Sequence, residues 1–429
     1  MSHPTSFSEL KPPGTATTSI SATSATAVQI FRYCIGFALL GFLWVAGFMV
    51  VAAVVLPQRL TDLGFANPAG VLGAVNAFGA MCALVANLVV GNLSDRTRSR
   101  FGRRSPWILA GTITAGASLI LVGALTNPAA IILAFCGFQI TVSLLLAPAV
   151  SVLSDRIPQQ VRGTASAFYG GGVTVGVPSG SLIGAAFLGN TLPGFVLGGG
   201  LVVVSGVIAL LIWPREPSAR DLPRTPQSLT EVFRSFRPPR NAPDFYWAFG
   251  QRFFMLISYN MVVAYQLYIV QQHVGQGLAE SAQTLAAMSI ITLVVSIVGS
   301  VASGPISDLI KRRKLPVVLA SLLFCIGIAM PWIYPSTMGM LLFAGIAGFG
   351  YGVYTSVDQA LLVDVLPDPA QAGKDLGILN LSTTGGQTLG PVITSTIVTM
   401  TGSYALVFPV SIAAALIGLI FVIRIKHVR

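Results

Sequence analysis

Charge is what this chain has least of. Only 9% of its 429 residues are Asp, Glu, Lys or Arg, against 54% hydrophobic, whereas a soluble domain carries about 25% charged residues. So little charge cannot cover a water-facing surface, and the mean hydropathy of +0.78 agrees. Histidine is scarce too. His3 and His427 lie in the tails and His273 in an outer loop, which leaves no cluster to hold a metal. Cys34, Cys82, Cys136 and Cys325 are scattered singly through apolar segments, without the spacing of a metal site or a disulfide framework. They read as small core residues. No Gly-x-x-x-x-Gly-Lys-Ser/Thr loop occurs, the only Gly-Lys being Gly373-Lys374 before Asp375, so the phosphate cradle of ATP-driven proteins is missing. Neither a cofactor nor an enzyme activity is expected. The first thirty residues lack the basic start and cleavage site of a signal peptide, and 1–30 reads as a disordered cytoplasmic tail rich in Ser, Thr, Ala and Pro.

What the sequence does hold is long apolar runs. A helix needs about 20 apolar residues to cross a hydrocarbon core of about 30 Å. Twelve such segments can be placed, at 31–56, 69–92, 106–125, 129–153, 163–189, 193–213, 245–270, 282–304, 316–334, 338–364, 376–400 and 405–424. The net charge of +11 takes its meaning from where it falls. With the N-terminus inside, 23 of the 25 Lys and Arg lie on the cytoplasmic side, leaving Arg59 outside and Arg252 within a span. This positive-inside bias fixes an even number of spans with both termini cytoplasmic. The basic loops lack interleaved aromatics, so no nucleic-acid partner is expected. The lipid bilayer is the expected partner. The reading is an all-α integral membrane protein: a six-helix bundle over 31–213, a cytoplasmic linker over 214–244, a second six-helix bundle over 245–424 and a tail over 425–429. Within the linker, Thr225-Pro226 followed by Ser228 to Phe236 predicts a short capped helix with Leu229, Val232, Phe233 and Phe236 on one face.

The second bundle repeats the first. Gly91-Asn-Leu-Ser-Asp95 returns as Gly304-Pro-Ile-Ser-Asp308, 213 residues on, and each is followed by a basic cluster. Leu153-Ser-Asp155 returns as Leu362-Val-Asp364 after 209 residues, and Gly172-Val-Thr-Val-Gly176 as Gly386-Gln-Thr-Leu-Gly390 after 214. Duplicated membrane bundles are how secondary transporters are built.

The stretch from Gly91 through Asp95, Arg96, Arg98 and Arg100 to Gly102-Arg103-Arg104-Ser-Pro106 resembles the signature between the second and third spans of the major facilitator superfamily. Its long spacer is similar to that of the plant sucrose carriers and the bacterial glycoside-pentoside-hexuronide symporters. The physical role of such a motif is a conformational latch. Gly91 allows close packing at a helix end, and Asp95 can accept hydrogen bonds from the positive N-terminus of a facing helix. The resemblance implies that this helix is the eleventh span, beginning near Lys374-Asp375-Leu-Gly377. It also implies that Arg103 bridges Asp95 to Asp155 at the end of the fourth span. Asp308 and Asp364 form the expected mirror-image latch.

Between the rims, ionisable residues almost vanish, and an ionisable side chain at a helix centre in hydrocarbon costs at least about 2.5–3.5 kcal/mol. Two remain, Arg252 in the seventh span and Asp358 in the tenth. Counted from the rim acids Asp244 and Asp364, they lie roughly 12 Å and 9 Å inward at 1.5 Å per residue. Arg252, Tyr259 and Gln266 recur at steps of seven, with Asn260 and Tyr265 beside that face, while Tyr351, Thr355 and Asp358 share another. The family resemblance puts the first, fourth, seventh and tenth spans around a central cavity, and so places these two faces on its walls. Gln139, Thr141, Ser143 and Thr174 add polar groups from the fourth and fifth spans, and Trp44 offers a face on which a sugar ring can stack. The plainer alternatives are a buried ion pair that only ties two helices together and an ordinary packing role for Trp44. Spans one to six hold no acid between their rims, so Asp358 is the one deep carboxylate available to a coupling proton.

The expected function is a secondary carrier of the cytoplasmic membrane that moves a small polar solute, a sugar or glycoside, by proton symport. An efflux antiporter is the alternative of the same class. Its family hallmark is a Gly-Pro pair in the fifth span, which Val177 interrupts here, whereas Gly390-Pro391 carries an intact pair in the eleventh. The alternative of another class is a non-transporting sensor or scaffold.

Overall fold

The computed structural model describes residues 27–220, 239, 242–310, 314–366 and 372–425, with the backbone alone described at 88, 92, 95, 159, 301, 303–310, 359–360, 363–364, 372–374 and 376–377. All regular structure among the described residues is helical. We number the long helices α1 (Ala27–Asp62), α2 (Pro68–Arg96), α3 (Ser105–Ala124), α4 (Pro128–Arg156), α5 (Gln159–Ala185) and α6 (Thr191–Ile212). The second set is α7 (Pro243–Val263, continuing as Gln266–His273), α8 (Leu278–Ile310), α9 (Lys314–Ile333), α10 (Thr337–Asp364), α11 (Ala372–Thr401) and α12 (Val407–Arg424). The helix of α1 begins at Ala27, so the end of the expected 1–30 tail is already helical. The expected linker helix over 225–236 lies outside the described residues, as do the expected terminal tails beyond 27–425.

The short outward turns act as helix starts. Asn67 and Asn127 accept hydrogen bonds from Gly70 N and from Ala129 N and Ala130 N, each just ahead of a proline at the first helical position. A side-chain oxygen and a residue without an N–H together meet the donor surplus of a helix N-terminus.

Nine helices among the described residues are long and apolar enough to cross a membrane, and α7, bent by 48°, makes a tenth. Helices α5 and α11 are not among these, because Gly, Ser and Thr fill them. Their composition answers to packing. An added Cβ at Gly172, Gly176 or Gly180 of α5 would stand 2.2, 2.7 and 2.3 Å from the carbonyl oxygens of Ala38, Phe42 and Ala46 of α1. Glycines four apart thus let two backbones touch, which drives helix association where lipid supplies no hydrophobic force. Gly386 and Gly390 of α11 do the same against Phe253 and Ile257 of α7.

The packing pattern repeats with the sequence. Helix α1 packs on α5 and α6 as α7 packs on α11 and α12; α3 packs on α4 and α6 as α9 packs on α10 and α12; α2 packs on α4 as α8 packs on α10. The halves meet through α2 with α11 and through α5 with α8, again a symmetric pair. Large apolar side chains such as Val85, Leu133, Leu211, Val294, Ile333 and Ile420 point outward, as they must where the surrounding solvent is hydrocarbon.

Candidate functional site

Arg252 and Asp358 meet. Arg252 Nη1 donates to Asp358 Oδ2 at 2.9 Å, and its Nε donates to Thr383 Oγ1 of α11 at 2.8 Å. The Asp358 side chain is 3% exposed and that of Arg252 12%. One arginine therefore ties α7, α10 and α11 together at depth. Tyr354, one turn before Asp358, neighbours both that carboxylate and Gln251. Asp358 Oδ1, the Tyr354 hydroxyl and both amide atoms of Gln251 are all buried. One turn further out, Tyr259 and Tyr351 stack with ring centroids 3.7 Å apart and planes 10° from parallel. Both keep some accessible surface.

The same geometry recurs in the first half with the polarity removed. Phe48 and Phe138 stack at 5.5 Å and 12°, and they precede Tyr259 and Tyr351 by 211 and 213 residues. Those offsets carry Arg252 to Gly41 and Asp358 to Leu145. Both halves hold the aromatic pair, and only the second carries the ion pair. Trp44 stacks on Phe48 at 6.2 Å, with its indole N–H buried on the side of the Tyr169 hydroxyl. Gln139 is half-buried beside this cluster. Thr141, Ser143 and Thr174 turn their hydroxyls back onto carbonyls of their own helices, at Gly137, Gln139 and Gly170. In the second half, Thr355 and Asn260 do likewise, onto Gly352 and Leu256.

Tyr265 and Gln266 lie away from the ion pair, where α7 breaks. The break has no proline or glycine; a π-helical turn at Ile269–His273 follows it, one of the recognised sources of a kink. Tyr265 is fully buried, and its hydroxyl donates to Ala69 O and Pro391 O at 3.1 Å. Tyr268 donates to Pro57 O at 2.8 Å, Gln271 to Gln58 Oε1 at 2.9 Å and Asn67 to Thr399 Oγ1 at 2.8 Å. These bonds join the two halves at the outer end and close it. Gln266 is half-buried at the start of the bent piece.

At the cytoplasmic rim, Asp155 accepts from Arg103 Nη2 at 3.2 Å and from Arg104 Nε at 3.0 Å. Arg104, 4% exposed, also donates to Ser94 Oγ at 2.5 Å, so it joins α2 to the end of α4. The side chains of Asp95, Asp308 and Asp364 lie outside the described residues. Gly91 does not pack closely in this conformation: a Cβ there meets nothing within 4 Å among the described residues. A group that sequence reasoning missed is Glu216. Its carboxylate accepts from the backbone N–H of Arg103, Arg104 and Ser105 and from Ser105 Oγ. An anion at the start of α3 answers the helix dipole. Gly102, at φ +92°, makes room for it, since a Cβ would stand 2.1 Å from Glu216 Cδ. The span at 106–125 was legible in the sequence; the distant acid that meets its start was not.

The family described as Major Facilitator Superfamily matches residues 34–302 and again 269–429. An uncharacterized symporter of Synechocystis sp. is 46% identical over 54 residues, a match that spans 13% of this chain and a tenth of the relative's length. Among solved structures, a point mutant of the nucleoside transporter NupG superposes with a TM-score of 0.71 at 14% identity, covering 92% of this chain and 99% of that one. A bacterial homolog of the human lysosomal transporter Spinster, inward-facing and occupied, gives 0.67 at 16% identity over 93% and 96%. A D-xylose-proton symporter gives 0.66 at 14% identity over 92% and 98%. At these identities the likeness is one of fold.

Proposed function

As the chain belongs to the Major Facilitator Superfamily, we propose that it is a proton-coupled symporter carrying a small polar solute, a sugar or glycoside, across the cytoplasmic membrane by alternating access. The observation that carries this reading is the Arg252–Asp358 pair at 2.9 Å beside the Tyr259–Tyr351 stack. Tyrosine faces and hydroxyls suit a ring that is apolar on its face and hydroxylated at its edge. The ion pair supplies the coupling. While Asp358 is ionised it holds Arg252; a proton on the carboxyl cancels that attraction and frees the guanidinium to donate to a solute hydroxyl. Solute and proton thereby favour the same state, which is what symport requires.

Purified protein in proteoliposomes, supplied with a panel of labelled mono- and disaccharides and glycosides, tests the reading. An inward proton gradient is expected to drive accumulation of at least one of them above its outside concentration, and a protonophore to abolish it. Accumulation of none of them under a proton gradient, with proton release on solute entry from the opposite side, would assign the chain to antiport instead.

A further inference from the structure

Two glutamines meet across the halves at the outer end. Gln271 Nε2, in the π-helical turn at Ile269–His273, donates to Gln58 Oε1 near the end of α1 at 2.9 Å. The two residues stand 213 positions apart, inside the 209 to 214 of the repeat. Near-equivalent positions of two copies can touch only beside the axis that relates the copies, so this contact lies at the centre of the outer end. Gln58 is 5% exposed, and a buried amide is bonded at both of its ends wherever it can be. Its other end, Nε2, donates to Asp62 Oδ1 at 2.7 Å, one helical turn on.

An ionised carboxylate can only accept, whereas a primary amide accepts at one end and donates at the other. Asp62 therefore decides which end of Gln58 faces the second half: the nitrogen is drawn to the acid and the oxygen is left for Gln271. Gln271 must then donate. Four residues after Gln271 stands Gly275, where Gln58 has its acid, so that turn of the second half supplies no direction of its own. We propose that Asp62 is a positioning residue of the outer closure, which acts through Gln58 to set the polarity of the bond between the halves. This rests on the alternating-access part of the reading above and names the residue that orients its outer gate. The plainer alternative is a Gln–Asp pair that supports only its own helical turn. The two differ in what a change at Gln271 does. Tyr268, on Pro57 O at 2.8 Å, holds the end of α1 against the bent piece of α7 while the amides turn.

The test uses the full chain with its four native cysteines replaced and Gln266→Cys as reporter, in right-side-out membrane vesicles. A membrane-impermeant thiol reagent is added outside, in buffer well above the carboxylate range so that introduced acids are ionised. Gln271→Glu turns the donor into a second acceptor, and labelling is expected to rise about two- to twelvefold, the worth of one neutral hydrogen bond. Adding Asp62→Asn is expected to return the rate to the parent's. The new amide can donate to Gln58 Oε1, and Gln58 Nε2 can then donate to the new carboxylate, so the chain of bonds runs backward. Asp62→Asn alone is expected to label as the parent does, because its oxygen still accepts. Gln58→Glu sets two carboxylates one turn apart, and it too is expected to speed labelling and to be restored by Asp62→Asn. Rescue of Gln58→Glu without rescue of Gln271→Glu would confine Asp62 to its own turn and overturn the inference while the carrier reading stands. Labelling of Gln271→Glu at the parent's rate would overturn it too, since the amides would then not hold the outer end. A parent never labelled from outside, yet fully labelled in detergent, would overturn alternating access itself and the inference with it.

Discussion

Asp358 remains buried because Arg252 accompanies it, and Arg252 because Asp358 and Thr383 do. Taking away one member of a buried pair strands the other charge, at a cost of about 3–5 kcal/mol. Each single variant is therefore expected to lower thermal stability, and the double variant to recover much of the loss. Asp358→Asn is expected to cost the more, because the arginine it strands cannot shed its charge, whereas the acid left by Arg252→Gln can take up a proton. Residues in contact are non-additive; damage that simply adds in the double variant would mean that the pair is not formed in the membrane. The same residue separates coupling from carriage. Asp358→Asn mimics the protonated acid, so proteoliposomes carrying it are expected to exchange labelled for unlabelled solute yet fail to accumulate it against a gradient. Robust proton-driven accumulation by Asp358→Asn would remove Asp358 from the coupling role.

At the scale of the element, the glycines of α5 divide by what they face. Gly180 meets Ala46 O at 2.3 Å as soon as a Cβ is added, whereas Gly171 faces open space. Gly180→Ala is expected to lower the unfolding midpoint by forcing α1 and α5 apart, a cost of about 1–3 kcal/mol. Gly171→Ala is expected to be neutral or to stabilise by up to about 1 kcal/mol through helix propensity. Equal midpoints for the two variants would show that the seam does not depend on backbone contact. The sequence made α5 and α11 legible in spite of their modest hydropathy, since charge at the rims and the repeat fix their ends. It also made the ion pair legible, because two ionisable residues in apolar runs at matching depths have few other partners. Thr383 was not legible: α11 is crowded with hydroxyls, from Ser382 to Thr388, and nothing in their spacing picks one. Nor was the bend of α7, which falls at Ala264 and Tyr265 without a proline or glycine. Helical periodicity run through that break put Tyr265 and Gln266 beside Arg252, whereas the bend carries Tyr265 to the outer closure.

The whole molecule is two copies of one bundle whose centres differ in polarity: a tyrosine pair with an ion pair in one half, and a phenylalanine pair with Gly41 and Leu145 at the matching positions in the other. The ion pair resides in one half, and the symmetric contacts of α2 with α11 and α5 with α8 join the two halves. The outer end is shut by hydrogen bonds from Tyr265, Tyr268, Gln271 and Asn67 across the halves. Each such neutral bond contributes about 0.5–1.5 kcal/mol, so losing one shifts the balance toward the outward-open state by about two- to twelvefold. Tyr268→Phe removes only the hydroxyl that holds Pro57 O. With the four native cysteines replaced and Gln266→Cys as the reporter, a membrane-impermeant thiol reagent added outside is expected to label Tyr268→Phe faster than its parent by that factor. Asp95→Asn at the opposite rim is expected to act in the other direction. A latch between the halves at the cytoplasmic end can form only when that end is closed, so its loss depopulates the outward-open state and slows outside labelling. Equal labelling rates in parent, Tyr268→Phe and Asp95→Asn would leave the outer bonds without control over access and Asp95 with a role in topology alone.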